Sequence, residues 1–295
     1  MNRFCLIANP AAGRKRKFDL LNALRSLLDK AGLEHDLKVT QAPGLGITLG
    51  LDAASAGYKG VLAFGGDGTV SEVATGIVGS DLTLGVIPAG TMNLFARALG
   101  IPERLQDAVD SIAAGHTRRV EVGKVGGRYF LLCAGAGLDA AILRDVKGTT
   151  KGRVGKLAYY LQAPRTALRY RFPGIRLIVD EGITLQGGQV VVANGRHYGD
   201  MYDLAPGSSP FDGVMDACVF FGRKLRNYVR YYRRLRKGRH LLEDDVEYYK
   251  GTSFLLRATA EGAAIPFQID GDYLCDLPVE IHVIPNALPV YVPPA

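Results

Sequence analysis

The stretch Gly60-Val-Leu-Ala-Phe-Gly-Gly-Asp-Gly-Thr-Val-Ser-Glu-Val-Ala-Thr-Gly76 decides the fold of this chain. Residues 61–64 are an apolar run bounded by glycines, which predicts a fully buried strand, and residues 69–77 predict the helix that follows it. A strand, a glycine-rich turn and a helix in this order are typical of α/β folds.

The turn between this strand and helix has the features of a phosphate-binding loop. Gly65, Gly66 and Gly68 can adopt positive φ and carry no Cβ, so an anion can approach the backbone N–H groups closely. A helix N-terminus directly after such a turn favours phosphate. The Asp67 carboxylate would repel a phosphate unless a divalent cation lay between them. The turn therefore predicts a nucleotide-phosphate site that uses Mg²⁺.

A second interpretation of the same turn needs no ligand. Thr69 and Glu72 have the spacing of a capping box, with Thr69 as the N-cap of the helix and Glu72 at position N3. Both interpretations stay open on this stretch alone.

Length and composition define the class of protein. With 295 residues, 47% of them hydrophobic and 22% charged, the chain is long enough for two globular domains. A net charge of +7 favours an anionic partner, but no nucleic-acid-binding motif is present, so we expect no nucleic-acid partner.

Widely spaced cysteines in apolar runs indicate reduced thiols, and no apolar stretch approaches the ~20 residues of a spanning helix. These features predict a cytoplasmic protein that would meet a membrane only from the side.

The N-terminal part of the chain alternates strands with helices. A strand at 4–8 leads through the loop 9–13 into a helix at about 15–31, and a strand at 82–87 ends in Pro88-Ala-Gly-Thr-Met-Asn93. This alternation predicts a parallel sheet wound on both faces. Ligands of such sheets bind beyond the carboxyl ends of the strands, so the loops at 9–13, 65–69 and 88–93 are expected to converge.

From about residue 119 the pattern changes to short strands with few helices between them. Strands are predicted at 121–123, 128–134, 175–180, 184–194, 215–221, 252–259, 265–269, 280–284 and 288–292, with helical insertions near 156–170 and 224–237. We therefore expect two domains. The first, over 1–120 with a returning segment at 286–295, is an α/β nucleotide-binding domain with a doubly wound parallel sheet. The second, over 121–285, is a mainly antiparallel, β-sandwich-like domain.

Several short motifs are distributed along the whole chain. They are Asn9-Pro-x-x-Gly13, Gly65-Gly-Asp-Gly-Thr69, Pro88-Ala-Gly-Thr-x-Asn93 with Ala96-Arg97, Asn194-Gly195 with Tyr198-Gly199, Leu204-Ala-Pro206, Asp212-Gly213 and Asp270-Gly-Asp272. In this order they resemble the diacylglycerol kinase-like lipid kinases of bacteria, a family that also includes sphingosine kinases.

The resemblance implies ATP and Mg²⁺ as cofactors and a lipid as acceptor. The residues that it implies for ATP are Asn9, Pro10, Ala11, Ala12, Gly13, Thr40, Gly66, Asp67, Gly68, Thr69, Val70, Ser71, Glu72, Thr91 and Asn93. It also implies that Asp67 helps to organise Mg²⁺ and the phosphates. A second, structural metal would be held by Ser209, Asp212 and Val214, since carbonyl oxygens and one carboxylate suit a hard cation.

The same resemblance implies that the Asp270-Gly-Asp272 turn carries the general base into a cleft between the domains. The family usually ends this motif with Glu, whereas this chain has Asp272, so the base is either Asp272 or Asp270. Two further departures are Leu94, where Asp is frequent, and Glu121, which keeps the charge of an Asp. As residues two apart on an extended segment, Asp270 and Asp272 would lie on one face, roughly 7 Å apart; a polar hairpin turn is the alternative.

The reaction that these features predict is transfer of the ATP γ-phosphoryl group to a lipid hydroxyl, on a diacylglycerol-like or sphingoid acceptor. Two alternatives stay open. One is a kinase for a soluble acceptor, as in NAD kinase, and the other is a nucleotide- or lipid-binding protein that has lost its activity.

A strongly basic segment at 223–239 has tyrosines between its arginines. We expect this helix to bind an anionic membrane, which would place the protein peripherally at the inner face of the membrane, next to its lipid substrate. A solvated face whose tyrosines pack inward is the alternative. The sequence does not fix the oligomeric state, and a homodimer stays open.

Overall fold

A computed structural model describes residues 3–9, 14–149, 156–199 and 202–294 of the chain. Its strands are β1 Phe4–Ala8, β2 His35–Val39, β3 Gly60–Gly65, β4 Thr83–Pro88, β5 Thr117–Val125, β6 Arg128–Phe130, β7 Cys133–Ala136, β8 Ile175–Val179, β9 Ile183–Gly187, β10 Gln189–Ala193, β11 His197–Tyr198, β12 Tyr202–Asp203, β13 Met215–Phe220, β14 Val246–Gly251, β15 Ser253–Ala258, β16 Pro266–Ile269, β17 Asp272–Asp276 and β18 Val279–Tyr291. Its α-helices are α1 Arg14–Lys30, α2 Leu45–Ala56, α3 Asp67–Ile77, α4 Leu94–Ala98, α5 Leu105–Ala113, α6 Leu138–Thr149, α7 Lys156–Arg169 and α8 Leu225–Leu235, and a 3-10 helix covers His240–Leu242.

The chain divides into two compact units. The first comprises Met1–Val122, Pro210–Asp212 and Pro285–Ala295. The second comprises Gly123–Ser209 and Gly213–Ile284. Strand β18 therefore begins in the second unit and ends in the first.

The first unit is built on a parallel sheet. Its strands follow the order β2-β1-β3-β4, and Val290 of β18 pairs in parallel with Leu84 of β4. Strands β1 and β3 are buried along their whole length, as in sheets with helices on both faces. Leu21, Leu24 and Leu28 of α1 pack on one face together with α5, while α2 and α3 pack on each other and on β1 and β3. The predicted α/β architecture is confirmed.

The second unit is built from antiparallel sheets. One sheet follows the order β14-β13-β10-β7-β16-β17, and the other contains β18, β15, β8 and β9 in that order. Alternate residues of the two sheets meet in one core, where Val190 and Val192 of β10 pack with Leu177 and Val179 of β8. This period of two is that of strands with one face buried, and it confirms the predicted β-sandwich-like architecture.

Helices α6, α7 and α8 of the second unit share a smaller core. Its buried members are Leu138, Ile142, Val146, Phe172 and Tyr228. Helix α6 was not expected from the sequence. Its apolar residues at 138, 142 and 146 recur every four positions, and this helical period is the signal that would have identified it.

The predicted strands differ from the structure at three places. The strand predicted at 128–134 is divided into β6 and β7, which belong to different sheets. The strand predicted at 184–194 is divided into β9 and β10, which belong to different sheets. Gly188 lies between them, and a Cβ there would be 2.5 Å from the carbonyl oxygen of Gly222. Glycine thus allows the close backbone approach at which the chain passes from one sheet to the other. The strands predicted at 280–284 and 288–292 are parts of the single strand β18.

Candidate active site

The ends of three parallel strands meet in the first unit. Asn9 follows β1, and its side-chain amide donates to the Thr69 hydroxyl in α3, which follows β3 (Nδ2 to Oγ1, 3.1 Å). Ala89, after β4, donates its N–H to the carbonyl oxygen of Gly65 (2.8 Å). The loops after β1, β3 and β4 therefore lie together at one edge of the sheet, where ligands of such folds bind. The predicted residues Pro10, Ala11, Ala12 and Gly13 lie outside the described residues.

Gly66 and Gly90 hold two of these loops at backbone contact. A Cβ built on Gly90 would lie 2.5 Å from the Gly66 Cα, and one built on Gly66 would lie 3.2 Å from the Gly90 Cα. Asn93 closes the second loop, because its Oδ1 accepts the N–H of Gly90 (2.8 Å) and its backbone has a positive φ of 51°. Asparagine tolerates this conformation better than most residues. The predicted Asn93 therefore shapes the loop.

Helix α3 begins at Asp67 rather than at the predicted Thr69. Its N-cap residue Gly66 is extended (φ −91°, ψ −178°), and neither Gly65 nor Gly68 has a positive φ. These glycines do not use the positive φ that is open to them, and what they provide is space. Gly68 is exposed in the first turn of the helix, and a Cβ there would have no neighbour within 4 Å.

The first N–H groups of α3 differ in whether they have an acceptor within the helix. Thr69 and Val70 donate their N–H groups to the carbonyl oxygen of Gly66, at 3.0 and 3.1 Å. The N–H groups of Asp67 and Gly68 precede them in a turn where no intrahelical acceptor exists. An anion at this helix end is therefore expected to bind at Asp67 and Gly68.

The Glu72 carboxylate caps a different helix from the predicted one. Its two oxygens accept the N–H groups of Gly44 (2.8 Å) and Gly46 (3.0 Å) at the start of α2. Helix α3 has no side-chain bond at its own N-cap. The capping box with Thr69 is therefore wrong, because donors from another helix occupy the Glu72 carboxylate.

Asp67 is oriented by the helix that follows β4. Its Oδ1 accepts the N–H of Phe95 in α4 (3.1 Å), and Phe95 is fully buried. This bond fixes the direction of the carboxylate at the edge where the three loops meet. Carboxylate and phosphate oxygens are the ligands that Mg²⁺ takes at nucleotide sites. The oriented Asp67 and the open space at Gly68 therefore fit a nucleotide phosphate with its Mg²⁺.

The remaining residues predicted for ATP differ in their exposure. Thr40 is buried, and its N–H donates to the carbonyl oxygen of Ala8 at the end of β1 (2.8 Å). The Val70 side chain is buried, and Ser71 is half-buried. Thr91 is exposed in the loop between β4 and α4. The Val70 side chain therefore serves the core, whereas the Thr91 hydroxyl is open to a ligand.

Replacing Gly68 and replacing Gly90 are expected to have opposite effects on ATP binding and stability. Gly68→Ala is expected to leave the melting temperature unchanged and to weaken ATP binding at least ~10-fold, because the new methyl group takes up only the space for the phosphate. Gly90→Ala is expected to lower the free energy of unfolding by about 1–3 kcal/mol, because its Cβ meets the Gly66 backbone. Thermal unfolding and equilibrium dialysis with ATP measure both. Unchanged ATP affinity in a folded Gly68→Ala variant would contradict the assigned phosphate position.

In the second unit, Asp270 and Gly271 form the two-residue turn between β16 and β17. Ile269 pairs with Asp272 across this turn, and Asp270 and Gly271 have φ of 47° and 86°. Positive φ at both turn residues is the requirement of a type I′ hairpin turn, for which Asp-Gly is a preferred sequence. The expectation of one extended segment with Asp270 and Asp272 on the same face is wrong, because the chain reverses between them.

The two carboxylates have different surroundings. Asp270 accepts three backbone N–H groups, from Leu131 (3.0 Å), Leu132 (2.9 Å) and Cys133 (3.1 Å), and both of its oxygens take part. Asp272 is exposed at the start of β17, and its carboxylate makes no hydrogen bond or ion pair to the part of the chain that the structure describes. Asp270 therefore holds the turn onto the chain that leads into β7, whereas the Asp272 carboxylate is open to a substrate.

The residues predicted for the structural metal, Ser209, Asp212 and Val214, lie in the connection between β12 and β13. In the same connection, the carbonyl oxygen of Pro210 accepts the N–H of Glu121 in β5 (3.2 Å). Within the described ranges, no three His, Cys, Asp or Glu side chains form a group that could hold a metal ion. The predicted set contains one carboxylate and otherwise neutral oxygens, so this metal stays a prediction.

Two contacts that hold the predicted catalytic residues were not predicted from the sequence. The N–H of Phe95 orients Asp67, as described above, and the buried side chain of Gln268 holds the Asp270-Gly271 turn by accepting the N–H of Gly271 (2.8 Å). The Phe95 contact joins residues 28 apart in sequence, so no local pattern reveals it. The Asp-Gly pair was a local signal for the turn itself.

Comparisons with known proteins cover both units. Residues 3–125 match the family model described as the diacylglycerol kinase catalytic domain, and residues 133–292 match the YegS C-terminal NAD kinase beta sandwich-like domain. Diacylglycerol kinase of Bacillus subtilis (strain 168) is 32% identical over 296 residues, which covers 96% of this chain and 96% of that protein. Diacylglycerol kinase of Staphylococcus carnosus (strain TM300) is 28% identical over 292 residues, with coverages of 98% and 94%. The crystal structure of a diacylglycerol kinase from Bacillus anthracis str. Sterne aligns with a TM-score of 0.78 and 25% identity, over 99% of this chain and 98% of that chain.

Proposed function

Because the chain belongs to the diacylglycerol kinase family and is a kinase with an alcohol group as acceptor, we propose that it transfers the γ-phosphoryl group of ATP to a lipid hydroxyl. A diacylglycerol-like lipid is the acceptor class that we favour, since the relatives are named diacylglycerol kinases. A sphingoid base is the second acceptor class that the assay below includes.

The observation that carries this proposal is the meeting of three strand-end loops around Gly66, Asp67 and Gly68. Phosphoryl transfer needs mainly positioning and neutralisation of charge. We expect the first-turn N–H groups of α3 to bind phosphate oxygens and the Asp67 carboxylate, which the N–H of Phe95 orients, to bind Mg²⁺. When bound, Mg²⁺ would neutralise negative charge on the transferring phosphoryl group. The contact between Gly66 and Gly90 keeps side chains out of the space that the phosphates occupy.

We assign the general base to Asp272. A base must lie within hydrogen-bond reach of the proton that it removes, and the exposed Asp272 carboxylate can accept one. The lipid hydroxyl passes its proton to Asp272, its oxygen forms the new bond to the γ-phosphorus, and the bond between that phosphorus and the leaving oxygen of ADP breaks. Asp270 does not take this role, because its oxygens hold three backbone N–H groups.

A labelling experiment tests the reaction. The purified protein is incubated with Mg²⁺, γ-labelled ATP and a total bacterial lipid extract in mixed micelles, with added diacylglycerol or sphingosine in separate samples, and the lipids are then separated. Asp67→Ala is the control. A labelled lipid that is absent with Asp67→Ala supports the proposal.

Other outcomes of this experiment favour the alternatives. Label in NAD supplied as a soluble acceptor, with none in lipid, supports an NAD kinase-like activity. No label in any acceptor, despite measured ATP binding, supports a binding protein that has lost its activity.

We further propose that helix α8 binds the protein to an anionic membrane. Arg226, Val229, Arg233 and Arg236 are exposed and follow each other at helical spacing, while Tyr228 and Tyr231 of the same helix are buried. In the described part of the chain, no acidic side chain forms an ion pair with Arg226, Arg233 or Arg236. This surface therefore keeps its positive charge for anionic lipids. No helix among the described residues is long and apolar enough to cross a membrane.

The ion pairs of α8 determine which arginines should be tested. Arg230 pairs with Glu243 (Nε to Oε2, 3.2 Å) and with Asp245, and Arg234 pairs with Glu243 (Nε to Oε1, 2.6 Å). These two arginines of the basic segment are already neutralised within the second unit. Replacing them would disturb local structure, so a loss of membrane binding could not be assigned to lipid contact.

Helix α7 of the same unit offers an apolar surface. Leu161 is 65% exposed and Leu168 is 76% exposed, two turns apart on one face of the helix. Residues 146–179 contain eight Lys and Arg residues and no Asp or Glu. Stable membrane binding usually needs two signals, and α7 and α8 supply apolar area and positive charge.

Charge reversal in α8 tests the membrane proposal. Replacing Arg226, Arg233 and Arg236 by Glu is expected to weaken binding to vesicles that contain phosphatidylglycerol on the order of 100-fold, since each cation contributes about 1 kcal/mol at an anionic surface. The matched control reverses three exposed cations elsewhere, Arg25, Lys30 and Arg128. Leu161→Ser with Leu168→Ser forms a second arm, with Leu20→Ser and Leu51→Ser as its control. Sedimentation equal to wild type in both arms would contradict the proposal.

A further inference from the structure

Gln268 connects the turn before Asp272 to the interior of the second unit. It is 1% exposed on β16, and its Oε1 accepts the N–H of Gly271 (2.8 Å). Gly271 is the residue directly before Asp272, and its positive φ of 86° is part of the turn. Because buried side chains have little freedom, this bond fixes the backbone from which Asp272 projects.

Gln268 lies beside a buried carboxylate. Asp139, in the first turn of α6, is 6% exposed, and its Oδ2 accepts the hydroxyl of Tyr198. A Cβ built on Gly135 would lie 3.1 Å from Asp139 Oδ2 and 3.2 Å from Gln268 Nε2, so the two groups flank one point on β7. Desolvation raises the pKa of Asp139, and hydrogen bonds from Tyr198 and the Gln268 amide are among those that oppose the rise.

This arrangement gives the two ends of the Gln268 amide different tasks. The N–H end donates to the Cys133 sulfur (Nε2 to Sγ, 3.9 Å) and lies beside the Asp139 carboxylate, which accepts the Tyr198 hydroxyl. The carbonyl end accepts the N–H of Gly271 in the turn. A glutamine amide can exchange the positions of its oxygen and nitrogen by a rotation of about 180°. Here the acceptors beside Nε2 and the Gly271 N–H beside Oε1 favour one of the two orientations. A functional side chain needs supporting residues with fixed rotamers, and a buried amide bonded at both ends can be one.

We propose that Gln268 is a positioning residue for phosphoryl transfer, which holds Asp272 in place through Gly271 and is itself oriented by Asp139 and Tyr198. The proposal rests on the proposed function and on Asp272 as the base. Asp139, Tyr198 and Gln268 do not touch the reacting atoms. Their role is to keep the exposed carboxylate at one position, since a displacement of about 1 Å can cost on the order of 100-fold in rate.

The test compares Gln268→Met in two backgrounds. Methionine keeps the length of the side chain and removes both its acceptor and its donor. In the wild-type background, kcat with diacylglycerol is expected to fall ~10–100-fold, with the KM for ATP unchanged. In an Asp272→Ala background, Gln268→Met is expected to lower kcat by less than ~2-fold, because its effect passes through Asp272. Equal losses in both backgrounds, or wild-type kcat for Gln268→Met, would overturn the proposal.

A second measurement does not depend on activity. Hydrogen exchange of the Gly271 amide, followed by NMR without substrate, is expected to be at least ~10-fold faster in Gln268→Met. Unchanged exchange would overturn the positioning role. If wild-type protein labels no lipid while the exchange still rises, the proposed function fails and the contact stands.

If Gln268→Met does not fold, Tyr198→Phe takes its place, since it removes one hydroxyl. It is expected to lower kcat ~3–10-fold with the KM for ATP unchanged. Wild-type kcat in folded Tyr198→Phe would overturn the part of the proposal that concerns Asp139 and Tyr198.

Discussion

Replacement of Asp272 by alanine is expected to lower kcat about 10²–10⁴-fold, the contribution that a general base makes to such transfers. The dissociation constant for ATP is expected to stay within ~2-fold of wild type, because the loss occurs in the transition state and not in nucleotide binding. Stability is expected to be unchanged, since the exposed carboxylate makes no hydrogen bond to the described part of the chain. Steady-state kinetics with diacylglycerol in micelles and calorimetric titration with ATP measure the two quantities.

The matched control for this variant is Glu261→Ala, which removes another exposed carboxylate of the same unit. Its kcat is expected to equal that of wild type. Asp272→Glu tests the length of the side chain, because it adds the methylene group that the family usually has at this position. A kcat for Asp272→Ala within ~3-fold of Glu261→Ala would exclude Asp272 as the base, given the contribution expected of one.

Much of the first unit could be predicted because its signals are local. The apolar runs of β1, β3 and β4 are buried on both faces, so they read as continuous hydrophobic segments. The order of strands and helices then brings the three loops to one edge of the sheet, and this placement does not depend on the contacts within the loops. The bond between Asn9 and Thr69 is the result of this topology.

The contacts within those loops could not be predicted in the same way. A Thr and a Glu at capping-box spacing predict a local pair, but Glu72 binds the N–H groups of Gly44 and Gly46. Local rules do not include donors that another element brings within reach. For the same reason the sequence assigned Asp67 to Mg²⁺ without the N–H of Phe95, which orients it.

The sequence could not decide between Asp270 and Asp272 as the general base for a related reason. Asp270 and Asp272 are the same residue type two positions apart, and their chemistry alone gives them the same role. The turn separates them, because positive φ at Asp270 and Gly271 reverses the chain. The Asp-Gly pair between two apolar runs was a signal for this hairpin. The three N–H groups that Asp270 accepts lie about 140 residues earlier in the chain, and no local pattern connects them.

Replacement of Asp270 by alanine is therefore expected to affect stability first. Three backbone N–H groups, of Leu131, Leu132 and Cys133, would lose their acceptor, and all three residues are buried. Each unsatisfied group costs about 1–3 kcal/mol, and alanine at positive φ adds about 1 kcal/mol, so a loss of at least about 4 kcal/mol is expected. This is a large part of the ~5–15 kcal/mol that stabilises a typical domain. Chemical denaturation followed by circular dichroism measures the change.

The Asp270→Asn variant distinguishes a structural role of Asp270 from a role as the general base. Asparagine tolerates positive φ, and its one carbonyl oxygen can still accept from Leu132 and Cys133, so only the N–H of Leu131 loses its acceptor. Asp270→Asn is therefore expected to lose only about 1–3 kcal/mol. Its kcat is then expected to stay within ~10-fold of wild type, because the turn that presents Asp272 is kept. A folded Asp270→Asn variant that lost as much kcat as Asp272→Ala would assign the base to Asp270. Retained activity in Asp270→Asn, together with its loss in Asp272→Ala, would leave Asp272 as the carboxylate of this turn that takes the proton.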